Sequence, residues 1–400
     1  MMRAVKPVPT LLLLALTACT ATHAPAPLPP PKAPVYSLIV DASLGKTDPR
    51  TTAKIAQSPF AYFRYTNRPF VDRVCTKWAN VIPSMPKVHE HGDAHLEQYA
   101  VAEDSRGLSD YDASAIGPPI VDLARFATSL VLAMPGDPRA ARNAVDALIA
   151  GYEQVIDDPA ATMPEPIVAA RLRARFAPTR REWLDTVQKL IRPTRAEDLP
   201  RYEDGWSQLY AQIKQRYPTY DTAFFTVKVG GMLDMGIGSA HTEKFIARIE
   251  GPTKAPDDDV VIEAKAVERD ALGSCMTGQD LGAGRIVRGQ AQMSRAPQKF
   301  LGAVTVNGRA FYTHSWLVHY TEVSVHDIRS GQELAELAQD VGMQLGLGHA
   351  KIVEESRVPA QRAALMQSAR VIAPTLADAA VELSQDVIQA WMTFRGSLAP

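Results

Sequence analysis

The spacing of apolar residues changes at Ala223, and this change limits the possible folds more than any other feature of the chain. Upstream, apolar residues in 120–134 and 138–218 recur at close to the helical period, with prolines between successive segments. Downstream, apolar and polar residues alternate as they do in strands, at 224–230, 245–250 and 260–267. The pattern predicts an α+β fold.

Three regions follow from these patterns. We predict a helical lobe over 50–220, a β-rich lobe over 221–330 and C-terminal helices over 331–400. Four or five helices are expected in 138–218, and two further strands in 300–318. Near the start, the pattern predicts a short helix that Pro59 breaks and that an aromatic segment follows.

The first residues of the chain have the pattern of a targeting signal. Basic residues precede the apolar run 11–16, which is shorter than the roughly 20 residues that span a bilayer. The run closes as Leu16-Thr17-Ala18-Cys19, which resembles the lipobox of bacterial lipoproteins. The resemblance implies a signal peptide over 1–18 and a lipid on the Cys19 thiol, and a plain signal peptide is the alternative.

Residues 19–36 are rich in proline and alanine and are predicted to form an extended tether. Because Thr20 rather than an aspartate follows the cysteine, the bacterial sorting pattern favours the outer membrane. We therefore expect a lipoprotein of the cell envelope, held at the periplasmic side of the outer membrane by lipidated Cys19.

Composition excludes one class of partner and leaves the cysteines ambiguous. The 400 residues have a net charge of -1, which gives no general attraction to nucleic acid. After Cys19, only Cys75 and Cys275 remain. In an oxidising compartment they could form one disulfide, or both could be buried free thiols.

Ionisable side chains are concentrated in 89–112. Three histidines, seven carboxylates and the amide of Gln98 occur within these 24 residues, between apolar segments. Such density in a partly buried setting is typical of a site of chemistry.

A second feature lies in the predicted β-rich lobe, where a Gly-rich turn joins two strands and Lys265 lies on the third. This is the arrangement of the nucleotide-binding hairpin in protein kinases.

Several blocks of sequence resemble known families. His91-Gly-Asp-Ala-His-Leu-Glu-Gln98 resembles the His-Gly-Asp-x-His-x-x-Asn catalytic loop of aminoglycoside-phosphotransferase-like and choline-kinase-like enzymes. The chain from about 54 to 351 is similar to an uncharacterised bacterial family, domain of unknown function 2252. The similarity lies in blocks that include 58–64, 91–95, 236–239, 263–265 and 289–290. Because the catalytic loop precedes the hairpin, the resemblance implies a two-lobed, protein-kinase-like fold with circularly permuted lobes.

The resemblance also implies roles for single residues. Asp93 would orient an acceptor hydroxyl and take its proton, with His91 and His95 in the same catalytic loop. Phosphates of ATP would contact Lys265 and the turn residues Gly236, Gly238 and Ser239. A Mg²⁺ ion would be held by Asp110, Asp112 and Gln98. Asp122, at a helix start, is expected to accept backbone N–H groups of the catalytic loop.

Four departures from the kinase pattern keep other functions open. Gln98 replaces asparagine, His241 replaces a third glycine, and no helix glutamate is identifiable as a partner for Lys265. In addition, the predicted compartment has no maintained pool of ATP. One alternative is therefore a catalytically inactive kinase-like protein that binds an unknown small molecule or protein in the envelope.

A second alternative is a metal-dependent hydrolase. The residues His89, His91, Asp93 and His95 resemble the His-x-His-x-Asp-His motif of metallo-β-lactamase-like hydrolases, although one extra residue precedes the last histidine. The predicted ligand in this case is Zn²⁺.

Overall fold

The computed structural model describes residues 37–194, 197, 199–232, 243–267, 273–277, 282–351 and 355–398. Its helices are, in chain order, α1 (Leu44–Thr47), α2 (Pro49–Ile55), α3 (Pro59–Tyr65), α4 (Asn67–Lys77), α5 (Ile120–Ala133), α6 (Pro138–Asp157), α7 (Ile167–Arg173), α8 (Arg180–Leu190), α9 (Leu199–Arg216), α10 (Ala283–Met293), α11 (Gly331–Ala350) and α12 (Val358–Ser397). The strands are β1 (Val88–Glu90), β2 (Tyr99–Val101), β3 (Arg106–Leu108), β4 (Ala115–Gly117), β5 (Arg192–Pro193), β6 (Val227–Met232), β7 (Lys244–Ile249), β8 (Val260–Ala266), β9 (Gly302–Val306), β10 (Arg309–Ser315) and β11 (Thr321–Glu322). The predicted α+β class is confirmed.

Prolines begin helices in this fold. Pro59 is the first residue of α3, because its fixed φ suits a first turn and the Ser58 side chain accepts a hydrogen bond from Ala61 N. A helix, α2, does end before Pro59, as predicted, but the aromatic segment after the proline is itself helical. Pro49 and Pro138 occupy the same position in α2 and α6, after Asp48 and Asp137 caps.

The largest core combines helices from both ends of the chain. Helix α11 packs closely along α6, and α12 packs against α3, α5 and α6. The sequence predicts that Gly342 permits close packing, and the structure confirms it, since a Cβ atom there would lie 2.0 Å from the Leu148 carbonyl oxygen. The C-terminal helices thus complete the core that the first helices begin.

A six-stranded antiparallel sheet forms the β-rich region, with strand order β5-β6-β7-β8-β10-β9. Strands β7 to β10 lie close to the predicted positions. Strand β6 begins later than predicted, because 223–225 forms a 3₁₀ turn that buries Phe224 and Phe225. Two smaller sheets, β1-β4 and β11-β2-β3, lie in the region of the predicted catalytic loop.

The two faces of the large sheet differ. One face is apolar and packs on α9, with Phe245, Ile262 and Phe311 in the same core as Leu209 and Ile213. On the other face, α8 packs on Ile246 and Val261 through apolar residues such as Trp183 and Leu184, and its Asp185 and Gln188 accept hydrogen bonds from Arg248. Helices α8 and α9 therefore pack on the sheet rather than in the helical lobe predicted over 50–220, because their apolar stripes match the two sheet faces.

Two features concern the predicted compartment. Cys75 in α4 and Cys275 form a disulfide, with Cα atoms 5.5 Å apart. Of the two alternatives, a disulfide or two free thiols, the structure contains the disulfide. Among the described helices, none is both long and apolar enough to cross a membrane. The predicted signal peptide, Cys19 and the tether up to 36 lie outside the described residues.

Candidate functional site

The segment after β1 is held by a buried carboxylate. Asp122, in the first turn of α5, accepts hydrogen bonds from His91 N at 2.7 Å and Gly92 N at 2.8 Å. Gly92 has φ 79°, and a Cβ atom there would lie 2.1 Å from the Ala113 carbonyl oxygen, so this turn requires glycine. The predicted role of Asp122 is confirmed.

Asp122 belongs to a fully buried polar group that also contains Glu90, His349 and Tyr152. His349 Nε2 lies 3.2 Å from Asp122 Oδ2, and the Tyr152 hydroxyl lies 3.0 Å from His349 Nδ1. Burial and the charge of Asp122 raise the pKa of Glu90 well above its usual range. Burial opposes ionisation of Asp122 too, but the His349 hydrogen bond, with His91 and Glu90, outweighs burial and lowers its pKa. The environment therefore favours the protonated form of Glu90 and the ionised form of Asp122.

Asp93 is fixed by a buried arginine that the sequence analysis did not select. Arg125 Nε donates to Asp93 Oδ1 at 2.5 Å, and the guanidinium lies 4.1 Å from the centre of the Phe63 ring. Burial raises the pKa of Asp93, although Arg125 opposes this shift, and the charge of Asp110 adds to it. One fifth of the Asp93 side chain remains exposed. The sequence does contain a sign of this role, because Arg125 is a charged residue among the apolar residues of the predicted helix and lies one turn after Asp122.

His95 lies behind Asp93. Its Nε2 is 3.9 Å from Asp93 Oδ2, and its ring packs edge-on against Phe60 with ring centres 6.1 Å apart. Burial, together with the charges of Arg64 and Arg125, lowers the pKa of His95 well below its usual range. His95 is therefore a neutral ring that supports the loop.

His91 joins the Asp93 loop to the next one. Its Nε2 lies 2.7 Å from the Ser109 carbonyl oxygen, and its ring packs on Tyr111. Gln98 reaches the same loop through its backbone, since its carbonyl accepts hydrogen bonds from Ser109 N at 2.8 Å and Ser109 Oγ at 2.9 Å. Asp93 and Asp110 are thus carried by two loops that are tied together directly.

Lys265 meets the second loop from the sheet. Its Nζ forms an ion pair with Asp112 and lies 3.6 Å from Asp110 Oδ1, and the Tyr312 hydroxyl also donates to Asp112. Asp110 has φ 55°, an uncommon backbone conformation that aspartate tolerates and that often occurs at functional sites. The structure therefore brings together three residues that the resemblance assigns to phosphate and metal.

The two aspartates differ in charge preference. Burial opposes ionisation of Asp110, but Lys265, the Asp112 hydrogen bond, His91 and Lys244 together outweigh burial and lower the Asp110 pKa. Burial and the Asp110 charge raise the pKa of Asp112. Burial lowers the pKa of Lys265, but Asp110 and Asp112 outweigh it and raise that pKa. Both aspartate side chains remain more than one third exposed, at 39% and 36%. Accessible carboxylate oxygens of this kind fit a hard cation such as Mg²⁺.

The histidine cluster predicted for a hydrolase does not form a ligand set. His89 lies on β1 next to Glu90, and successive strand residues point to opposite faces. Asp93 is bound to Arg125, and His91 to the Ser109 carbonyl. In the part of the chain that the structure describes, the ligand-type side chains that converge within 4.8 Å are those of Glu90, Asp122 and His349.

The predicted turn residues Gly236, Gly238 and Ser239, with His241, lie outside the described residues, between β6 and β7. The flanking strands are described, and β7 pairs with the lysine strand β8 as the hairpin interpretation requires.

The fold and site define an α+β protein in which a buried sheet lysine meets two partly exposed aspartates. The chain belongs to the family described as "Uncharacterized protein conserved in bacteria (DUF2252)", whose profile matches residues 48–216 and 221–397. The match extends beyond the predicted limit of 351 and includes α12. The chain matches none of the curated proteins and none of the solved structures with which it was compared.

Proposed function

We propose that this protein is an ATP- and Mg²⁺-dependent phosphotransferase that acts on a hydroxyl acceptor. The observation that carries the proposal is the meeting of Lys265 with Asp110 and Asp112, on a loop that His91 ties to the loop of Asp93. Phosphoryl transfer requires a cation for the phosphates, carboxylates for a metal and a carboxylate near the acceptor, and these residue types meet here.

The succession of elements around Lys265 supports a kinase-like fold with permuted lobes. The hairpin β6-β7 is followed by the lysine strand β8, and α10 then precedes β9 and β10. Protein kinases also place a Gly-rich hairpin, a lysine strand and then a helix in this order. Here the Asp93 and Asp110 loops precede that succession in the chain.

The chemistry follows from the side-chain environment. Oδ1 of Asp93 is bound to Arg125, which leaves Oδ2 to orient an acceptor hydroxyl and receive its proton. A raised pKa suits Asp93 to that proton transfer. Asp110 and Asp112 would hold Mg²⁺, which would neutralise phosphate charge, and Lys265 would contact phosphate oxygens.

A binding-only protein is the second candidate. Helix α10 carries no acidic residue, so it cannot supply the glutamate that pairs with the strand lysine in kinases. In addition, Lys265 and Tyr312 already occupy Asp112. A domain that binds phosphates without turnover would keep this arrangement.

The place of action is also proposed. The lipobox ending in Cys19 supports attachment to a membrane through lipid, on the periplasmic side of the outer membrane. Because that compartment lacks a maintained ATP pool, the phosphate donor has to be tested directly rather than assumed.

The test uses the full chain purified in detergent, with thermal melting and radiolabelled γ-phosphate transfer as readouts. Nucleotide with Mg²⁺ should raise the melting temperature, and Asp110→Ala should remove most of that increase. Asp93→Asn should keep binding and lose turnover, while the exposed Asp104→Asn serves as a matched control. Binding without turnover in the unmodified protein would favour the binding-only candidate. No response to nucleotide, Mg²⁺ or Mn²⁺ would refute the proposal, and stabilisation by Zn²⁺ alone would favour the hydrolase.

A further inference from the structure

A second lysine lies beside Lys265 on the sheet. Lys244, the first residue of β7, is the cross-strand partner of Lys265 on β8, and Tyr312 of β10 is the partner on the other side. Side chains of directly opposed residues share one sheet face and lie about 4.5–5.5 Å apart at Cβ. Both lysines are buried, with 5% and 6% of their surface exposed. The row Lys244–Lys265–Tyr312 therefore faces the Asp110 loop as a unit.

Two buried ammonium groups side by side are unfavourable unless anions compensate them. Burial lowers the pKa of Lys244, and Lys265 lowers it further, whereas Glu263, Asp110 and Asp112 raise it. Glu263 lies on the same face as Lys265, two residues earlier, and accepts a hydrogen bond from Trp316 Nε1 at 2.7 Å. The positive charges of the two lysines are thus compensated by Glu263, Asp110 and Asp112, and the two aspartates are also the candidate metal ligands.

A lysine pair confined in this way is typical of anion recognition rather than of stability. Replacing a whole buried ion pair by apolar residues of similar volume is often neutral or stabilising, so stability alone does not account for a buried pair of charged groups. Lys244 also begins β7, the second strand of the hairpin β6-β7 that precedes the lysine strand β8, and it is directly opposite Lys265. Its position is therefore beside the phosphates that Lys265 would contact.

We propose that Lys244 is a second phosphate-binding residue and that the pair Lys244 and Lys265 recognises a ligand with at least two adjacent phosphates. This inference rests on the proposed function, because it assigns phosphates to the same cleft. It also limits the phosphate donor to compounds with adjacent phosphates, because a lysine pair binds phosphate oxygens and does not contact a base attached to them. A nucleoside triphosphate and inorganic tripolyphosphate share that chemistry.

The experiment compares three ligands by titration calorimetry with Mg²⁺ present, using the full chain in detergent. Inorganic tripolyphosphate and ATP carry adjacent phosphates, and AMP carries only one. The test variant is Lys244→Met, which keeps the length of the side chain and removes its charge. Lys254→Met is the matched control, because Lys254 is exposed in the connection between β7 and β8, at the other end of β7 from Lys244. Circular dichroism melting verifies folding, and Lys244→Gln is the second variant if the methionine variant does not fold.

Lys244→Met should weaken tripolyphosphate and ATP about 10-fold to 100-fold, the effect of losing one charge-assisted hydrogen bond. AMP affinity should change less than about 2-fold, and Lys254→Met should change none of the three affinities. Equal binding of tripolyphosphate and ATP to the unmodified and Lys244→Met proteins would overturn the inference and leave the phosphotransferase proposal intact. Lys244-dependent binding of tripolyphosphate without ATP binding would support the lysine pair and overturn ATP as donor. If the unmodified protein binds neither, both proposals fail.

Discussion

Glu90 and Asp122 are adjacent buried carboxyls, and we predict that amide substitution will affect them very differently. Glu90→Gln replaces a carboxyl whose protonated form is favoured, because burial and Asp122 raise its pKa well above the usual range. Asp122→Asn removes a charge that the backbone N–H groups of His91 and Gly92 bind. The two variants are chemically alike, so the difference between them measures where the charge resides.

The magnitude follows from the contacts of Asp122. Its carboxylate accepts two backbone N–H groups at 2.7 and 2.8 Å and lies 3.2 Å from His349 Nε2. An amide keeps one acceptor oxygen and turns an NH₂ group toward a buried donor. Losing one charge-assisted hydrogen bond and leaving its partner unsatisfied costs about 3 kcal/mol of unfolding free energy. Glu90→Gln keeps an acceptor for Asp122 N and a donor for Asp122, so it should cost less than about 1 kcal/mol.

Urea denaturation followed by circular dichroism measures both variants against the exposed control Asp104→Asn, which should change stability by no more than about 0.5 kcal/mol. Asp122→Asn should show the lowest midpoint. Equal losses in the two variants, or a larger loss in Glu90→Gln, would show that the charge assignment is wrong.

Three further predictions concern pH, the disulfide and the lipid. Because the folded state keeps a proton on Glu90, its contribution to stability should be full below its ordinary pKa of 4.5 and should be lost as pH rises through the raised folded value; Glu90→Gln should remove this slope in urea midpoints measured at several pH values. Cys75→Ser should lower the free energy of unfolding by about 2–4 kcal/mol, and thiol alkylation of the denatured, unreduced protein should label neither Cys75 nor Cys275. Cys19→Ser should abolish lipid labelling and release the protein from membranes, and a fully membrane-bound Cys19→Ser protein would contradict the lipoprotein interpretation.

The fold class and most elements were predictable because periodicity is a local property. The strands near 245–250 and 260–267 were found from alternation alone, and α11 and α12 from helical spacing. Strand order was not predictable in this way, since β10 lies between β8 and β9 through contacts such as that of Phe311 with Ala266. The start of α3 at Pro59 was not predicted, because the sequence alone does not distinguish a proline that follows a helix from one that begins a helix. The hydrogen bond of the Ser58 cap, which distinguishes them, is seen only in the structure.

The residues of the candidate site likewise differ in whether a local sequence pattern marks them. Asp93, Asp110 and Lys265 were found because each lies in a short motif. His349 was not, because it reaches Asp122 from 227 residues further along the chain and no local pattern marks it. Arg125 could have been found, since an arginine inside an otherwise apolar helix needs a buried anion, and Asp93 is that anion.

Because α11 and α12 pack on α5 and α6, the core around the site can form only after the ribosome has made α11 and α12. A ribosome completes the Asp93 loop long before it reaches His349, and the faces of α5 and α6 that α11 and α12 bury stay uncovered until those two helices emerge. A nascent chain that has passed the lysine strand thus carries Asp93, Asp110 and Lys265 but lacks His349 and the helices that complete the core. The buried support of the Asp93 loop should be complete only after α11 has been made, and a stop codon before Gly331 should yield a chain that proteases remove.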